Sequence, residues 1–254
     1  MTKLYGGIDL HANNSVIVLI DEQEQVVFET RTFNDLSNIL FHLRSFHARI
    51  QGLVVESTYN WYWLVDGLME AGYSVHLANT AAIHQYEGLK HTNDHSDARW
   101  LAQLLRLGIL PTGYIYPKED RAIRDLLRKR SQLVRQKTSN LLSIHNLVTR
   151  NTGTSLTGNH IKTLTAEAMR DVLPTPDLAL AATSTLAVMR CAAEQIAAIE
   201  HAIKARVSLR PTFRQLLTVA GIGQTLALTI MLEAGEMHRF PTVGQWASYC
   251  RCVN

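Results

Sequence analysis

Cysteine is scarce in this chain. Cys191, Cys250 and Cys252 are the only three in 254 residues. So few, and an odd number, exclude a disulfide framework and fit a reducing compartment. Cys250 and Cys252 have a single residue between them and no His/Cys pair nearby, so tetrahedral zinc spacing is lacking too. Long uncharged apolar runs are also missing, which excludes a spanning helix. The opening "MTKLYGG" lacks the charged and apolar regions of a signal peptide. Together these absences predict a cytoplasmic protein with no membrane partner. Net charge is small, +3 with 25 Lys/Arg against 22 Asp/Glu, so any anionic partner must be read from where the charge sits. The last segment, "GQWASYCRCVN", has no polar tail and no helix cap. It reads as a truncated chain.

Hydrophobic residues make up 46%, enough to bury real cores. Residues 4–33 hold three short apolar or alternating runs, with Asn13-Asn14 and Asp21-Glu22 between them as turn signals. This predicts a three-stranded meander. Helical and strand patterns then alternate. A helix over 34–49 is capped by Asn34 or Asp35, and "GLVVES" is a buried strand. "NWYWLVDGLMEAG" is a helix ended by Gly72, "YSVHLAN" a strand, and "DHSDARWLAQLLRLG" a helix ended by Gly108. The order β-β-β-α-β-α-β-α predicts a mixed sheet with helices on its faces, as in the ribonuclease H-like fold. After "PTGYIYPKED" the chain turns helical. Residues 118–150 form a long polar and basic helix, and residues 176–206 carry apolar residues at three-to-four spacing, as in a hairpin or coiled coil. Pro211 opens a third segment. The expected domains are 1–112, 117–208 and 209–254.

Four acids stand where chemistry would want them. Asp9 sits in the first strand between Ile8 and Leu10, Glu56 ends "GLVVE", and Asp94 and Asp97 lie at i and i+3 at a helix start. Singly, each has an ordinary explanation: a helix cap or dipole partner for Asp94 and Asp97, a cap of the next helix for Glu56. Asp9 resists one, because a carboxylate inside an apolar strand is costly without a partner. Converging carboxylates repel each other unless cations separate them. Hard oxygen ligands suit Mg²⁺ or Mn²⁺, and a pair of such ions can clamp the oxygens of a phosphoryl transfer.

Residues 118–150 hold nine Lys/Arg and only three acids, so the basic charge is concentrated there. Arg121, Arg124 and Arg128 fall at i, i+3 and i+7, and Lys129 and Arg135 extend the run. Such a stripe suits a phosphate backbone, against the commoner reading of a solvated helix face. "LLTVAGIGQTLALTIM" places Gly221 and Gly223 between two apolar helices, where they allow a tight turn that aims backbone N–H groups at a phosphate. A plain interhelical turn is the default for that pattern. Tyr59, Trp61, Tyr62 and Trp63 follow Glu56, as stacking aromatics or as a core-facing helix start. His11, His91 and His95 flank the acids and read as surface histidines.

"GIDLHANNSVIVLID", "VVEST", "LKHTNDHSDARWLAQLLRLG" and "LLTVAGIGQTLALTIMLEAGEMHRFPTVGQWASYCRCV" resemble, in order, motifs of the DEDD transposases of insertion-sequence family 110, 1111-like subgroup. The resemblance implies a RuvC-like catalytic domain, a central coiled coil and the start of a transposase C-terminal domain. It implies that Asp9, Glu56, Asp94 and Asp97 are the four metal-binding catalytic acids, with Mg²⁺ or Mn²⁺ as cofactor. It also implies metal-dependent DNA cleavage and strand transfer, a bridge RNA as guide in some members, and multimers, here through the 176–206 helix. Gly221 and Gly223 become a DNA-contacting helix-hairpin-helix turn. A serine nucleophile of the family lies beyond the segment present here. Two other readings compete. A hexokinase-like ATPase would need a Gly/Thr phosphate loop after "GIDL", where this chain has His11-Ala12-Asn13-Asn14. A non-catalytic, truncated nucleic-acid-binding protein is the other.

Overall fold

The structure is a computed structural model that describes residues 2–83, 94–207 and 210–252. It divides into two compact units, Met1–Ile115 and Tyr116–Asn254.

The first unit is built on a six-stranded sheet. Strands β1 (Leu4–Leu10), β2 (Asn14–Ile20) and β3 (Val26–Phe33) form the expected antiparallel meander. Helix α1 (Leu36–Leu43) crosses to β4 (Ile50–Glu56), which lies parallel to β1; α2 (Tyr62–Glu70) crosses to β5 (Val75–Ala78), parallel to β4. A short helix α3 (Thr80–Ile83), helix α4 (Asp94–Arg106) and a two-residue strand β6 (Thr112–Gly113) complete the unit, with strand order β3-β2-β1-β4-β5-β6. Of the two caps open in the sequence, Asp35 is used: its carboxylate accepts from the Asn38 N–H at 2.9 Å. This is the ribonuclease H-like α/β arrangement, followed by helices.

Each strand face has its own job. Ile8, Leu10, Ile17, Leu19, Leu53 and Val55 pack with α1 and α2 residues such as Ile39, Leu43, Leu64 and Leu68. On the other face Val16, Val18 and Ile20 meet Ala98 and Ala102 of α4, and Val54 and Ala78 meet Leu101. Side chains alternate along a strand, so Asp9, between Ile8 and Leu10, must point to the α4 face. Gly7 shares that face. A Cβ built on it would lie 1.8 Å from the Ala98 carbonyl oxygen, so α4 lies with its backbone against β1. The outer side of α4 is strapped to the β2–β3 turn: Arg106 pairs with the Glu24 carboxylate, and Arg99 donates to the Glu24 carbonyl at 3.1 Å.

The second unit is helical. Helix α5 (Lys118–Thr152) is followed by α6 (Gly158–Thr163), α7 (Ala166–Val172) and α8 (Pro176–Val207). Ile144 and Val148 of α5 pack with Ala179, Ala182 and Leu186 near the start of α8; Ile123 and Leu127 pack with Ile203 and Val207 near its end. The long helices therefore run antiparallel as the expected hairpin. The apolar stripe of α8 faces α5 within the chain. Helices α9 (Pro211–Leu217), α10 (Gln224–Ala234) and α11 (Val243–Tyr249) follow. Phe213, Leu228 and Leu232 join Ile123, Leu127 and Ile203 in one core, so residues 209–254 share packing with the hairpin end. No helix among the described residues is long and apolar enough to cross a membrane.

Candidate metal and nucleic-acid sites

The parallel register pairs Ile8 with Val55. Asp9 and Glu56, the next residue on each strand, therefore end neighbouring strands on the α4 side. Asp9 is 3% exposed. The Asp94 carboxylate comes from the first turn of α4. The imidazole Nε2 of His11 lies 3.3 Å from Asp9 Oδ2 and 3.4 Å from Asp94 Oδ2. Donor atoms of these three residues all fall within 4.8 Å of one another, and they are the group of this kind among the described residues. Glu56 and Asp97 are half-buried and outside that group. Asp97 lies four residues before Leu101, so it belongs to the α4 stripe that faces β4 and β5, the side on which Glu56 lies. Asp94 lies four before Ala98, on the stripe that faces β1 and β2.

His11 is held by its own backbone. Its N–H donates to the Asn14 carbonyl at 3.0 Å, and its carbonyl accepts from Asn34 Nδ2 at 2.8 Å and Asn60 Nδ2 at 3.1 Å. Ser15 and Thr58 hydroxyls donate in turn to those asparagine side-chain oxygens. The turn after β1 is thus pinned from the strand-β3 end and from the β4–α2 loop. This turn has no glycine and so lacks the Gly/Thr phosphate loop of the ATPase kind.

Arg31 joins this site without a sequence motif to mark it. Asp9 pairs with Val16, and Val16 with Arg31, so the three lie on one register line and one sheet face. Arg31 Nη2 donates to Asp94 Oδ2 at 2.5 Å and Nη1 to Asn14 Oδ1 at 2.8 Å. The Arg31 hydrogen bond, with the charges of His11 and Arg31, holds the Asp94 carboxyl below the usual range against the opposing pull of desolvation. The cue for Arg31 was the period-2 alternation of "VVFETRTF", which sets Glu29 and Arg31 on one face. Glu29 engages His95 across 2.5 Å, which accounts for that histidine; His91 lies outside the described residues.

The basic helix is more internally engaged than its charge count suggests. Arg121 is 5% exposed and donates from Nε to the Tyr116 carbonyl at 2.7 Å, so the expected outer stripe does not include it. The reason is local: the guanidinium folds back along the start of α5 onto the Tyr116 carbonyl instead of reaching outward. Arg124 and Arg128 both grip Glu233 of α10. Lys129 and Arg135 face solvent. Gly221 has φ +87°, and Gly223 is the N-cap of α10 with extended backbone and no side-chain cap bond. A Cβ at either glycine would meet nothing within 4 Å, so the turn is open to solvent. Of the aromatics, Trp61 is in the core and Tyr59 is exposed. All three cysteines are free.

A model of the transposase family with DEDD acids, IS110 type, matches residues 6–151, more than half of the chain. A second, described as the transposase IS116/IS110/IS902 family, matches residues 213–254. No curated protein matches. The first match runs from Gly6 in β1 through the rest of the sheet unit to Asn151 near the end of α5, and the chain belongs to the IS110 family of DEDD transposases.

Proposed function

We propose that the chain performs metal-dependent cleavage and transfer of DNA strands for an insertion sequence, with Asp9, Glu56, Asp94 and Asp97 as the acids that hold Mg²⁺ or Mn²⁺. The observation that carries this is the buried Asp9 carboxylate, set against Asp94 at the sheet's C-terminal edge. Two like charges that close are stable together only with a cation between them or beside them. The oxygen-rich donor set fits a hard divalent ion, and His11 adds one nitrogen. When bound, the metal would supply Lewis acidity at the scissile phosphate and lower the pKa of the attacking group.

The protein's own residues have three tasks. Asp9 and Glu56, on adjacent strand ends, provide a rigid floor. Asp94 and Asp97 close over it from α4, whose distance from β1 is set by Gly7. His11 and Arg31 balance the charge of the Asp94 carboxylate, and Arg31 does so in competition with a bound cation. Lys129 and Arg135 of α5, with the Gly221–Gly223 turn, are the phosphate contacts in this reading, and Arg124 and Arg128 join them when they are free of Glu233. A guide RNA is a second ligand of the same basic surface, in keeping with the family. The reaction is assigned to the cytoplasm, where an element's DNA is found. Self-association then uses surfaces other than the α8 stripe that faces α5.

Calorimetric titration with Mn²⁺, alongside Mg²⁺-dependent cleavage of element-end DNA, tests the four-acid assignment. Asp9→Asn and Asp97→Asn should each weaken metal binding at least about tenfold and abolish cleavage. Wild-type metal affinity in both variants would sink the assignment.

A further inference from the structure

The two guanidinium groups at the middle of the basic surface are not free. Arg128 donates from Nε to Glu233 Oε1 and from Nη2 to Oε2, both at 2.8 Å. Arg124 donates from Nε to Oε2 at 3.1 Å and stacks on the Tyr116 ring at 4.5 Å. Glu233 is therefore held by two planar forks, the arrangement arginine offers equally to a carboxylate or a phosphate. A groove of about 360 Å³ opens at this point, lined by Leu127, Arg128, Ser131, Arg135, Thr229 and Glu233. Its other polar groups are two hydroxyls and the exposed Arg135; Glu233 is its single anion. The hydroxyls of Ser131 and Thr229 donate to carbonyls of their own helices, so the groove meets an anion chiefly with its arginines.

We infer that this groove between α5 and α10 is a binding site for a backbone phosphodiester, and that Glu233 occupies it as an internal stand-in which nucleic acid must displace. The inference rests on the reading of α5 as a nucleic-acid face. A carboxylate and a phosphodiester each present two oxygens and one negative charge to the Arg128 fork. The displacement is favoured by valency: Glu233 offers one charge, whereas a backbone also engages Arg135 and Lys129 and releases counterions as it does so. Glu233 is then a specificity filter. Isolated small anions compete poorly with a carboxylate already in place, and a polyanion of the right spacing competes well.

Fluorescence anisotropy on the full chain decides this, with a duplex DNA and an RNA hairpin of matched charge as probes. Glu233→Gln keeps the shape and removes the charge. It should bind about 5- to 10-fold tighter at about 100 mM salt, with the slope of log K against log salt steeper by about 1–2 as two arginines become available. Adding Arg128→Ala to Glu233→Gln should cancel the gain. Ser131→Asp, which leaves Glu233 in place and adds a second carboxylate to the groove, should weaken binding by a similar factor; it tests the groove even if Glu233→Gln fails to fold. The pattern should appear with whichever nucleic acid supplies the phosphate. Unchanged or weaker binding by folded Glu233→Gln with both probes overturns the inference, as does unchanged binding by Ser131→Asp. Lys129→Ala combined with Arg135→Ala separates the two levels. If that pair lowers affinity while Glu233→Gln does not raise it, only the stand-in is wrong; if the pair has no effect, α5 is not the nucleic-acid face.

Discussion

Gly7 is the residue on which the acid site depends most directly without being part of its chemistry. Any Cβ there would drive into the Ala98 carbonyl and the Ala102 amide, both backbone atoms that cannot rotate away. Gly7→Ala should therefore cost about 1–3 kcal/mol of stability and push α4 outward. The Mn²⁺ affinity should fall with it, since Asp94 and Asp97 ride on α4; a variant that melts lower yet binds Mn²⁺ normally would show that the helix position is not critical. Arg31 makes the opposite prediction. It shares the Asp94 carboxylate and places a positive charge beside it, so Arg31→Gln should tighten Mn²⁺ binding several-fold by calorimetry. Asp9 stood out because a carboxylate between Ile8 and Leu10 in an apolar strand is unusual. His11 and Arg31 did not, because a histidine in a turn and an arginine on an alternating strand have many ordinary uses. The pairing of Asp9 with Val16 and of Val16 with Arg31 puts Arg31 on the acids, and the turn after β1 does so for His11.

At the scale of elements, the hairpin of α5 and α8 is a seam of apolar knobs with small residues between. Leu186 is nearly fully buried in it, and Leu186→Ala should destabilise by about 2–5 kcal/mol, read as a lowered denaturation midpoint. The junction of α5 with α10 is electrostatic and responds to acid. Burial pushes the Glu233 carboxyl up, but the Arg128 hydrogen bond and the charges of Arg124 and Arg128 outweigh it, and the net shift is downward. A carboxyl with the lower pKa in the folded state stabilises fully above the ordinary glutamate value of about 4.3 and loses that contribution as pH falls through the folded value. The melting-temperature difference between wild type and Glu233→Gln should thus shrink as pH drops below about 4.3. A constant difference into stronger acid would mean that the pair contributes nothing. The meander, both crossovers and both long helices were legible because each has a full period of apolar residues. The two-residue β6 and the short helices α6 and α7 were not. Elements of two to seven residues carry too few repeats to show a period, and β6 exists only because β5 offers it an edge.

The whole molecule comprises two units with separate cores, the sheet with its helices and the hairpin with α9 and α10. A unit with its own core should fold alone. Residues 1–115 expressed by themselves should give a cooperative melt and bind Mn²⁺ within about threefold of the full chain; failure to fold would show that the second unit completes the first. The unfolded chain already specified the order of elements, the acids and the concentration of basic charge, because these follow from local periodicity and residue type. It could not specify which charges meet. His11 with Asp94, Arg31 with Asp94, and Arg124 and Arg128 with Glu233 are pairs 63 to 109 residues apart, and contacts of that kind come into being only when the sheet and the hairpin close. The same closure turned Arg121 inward and left Lys129 and Arg135 outside, a division that helical charge counting alone has no means to make.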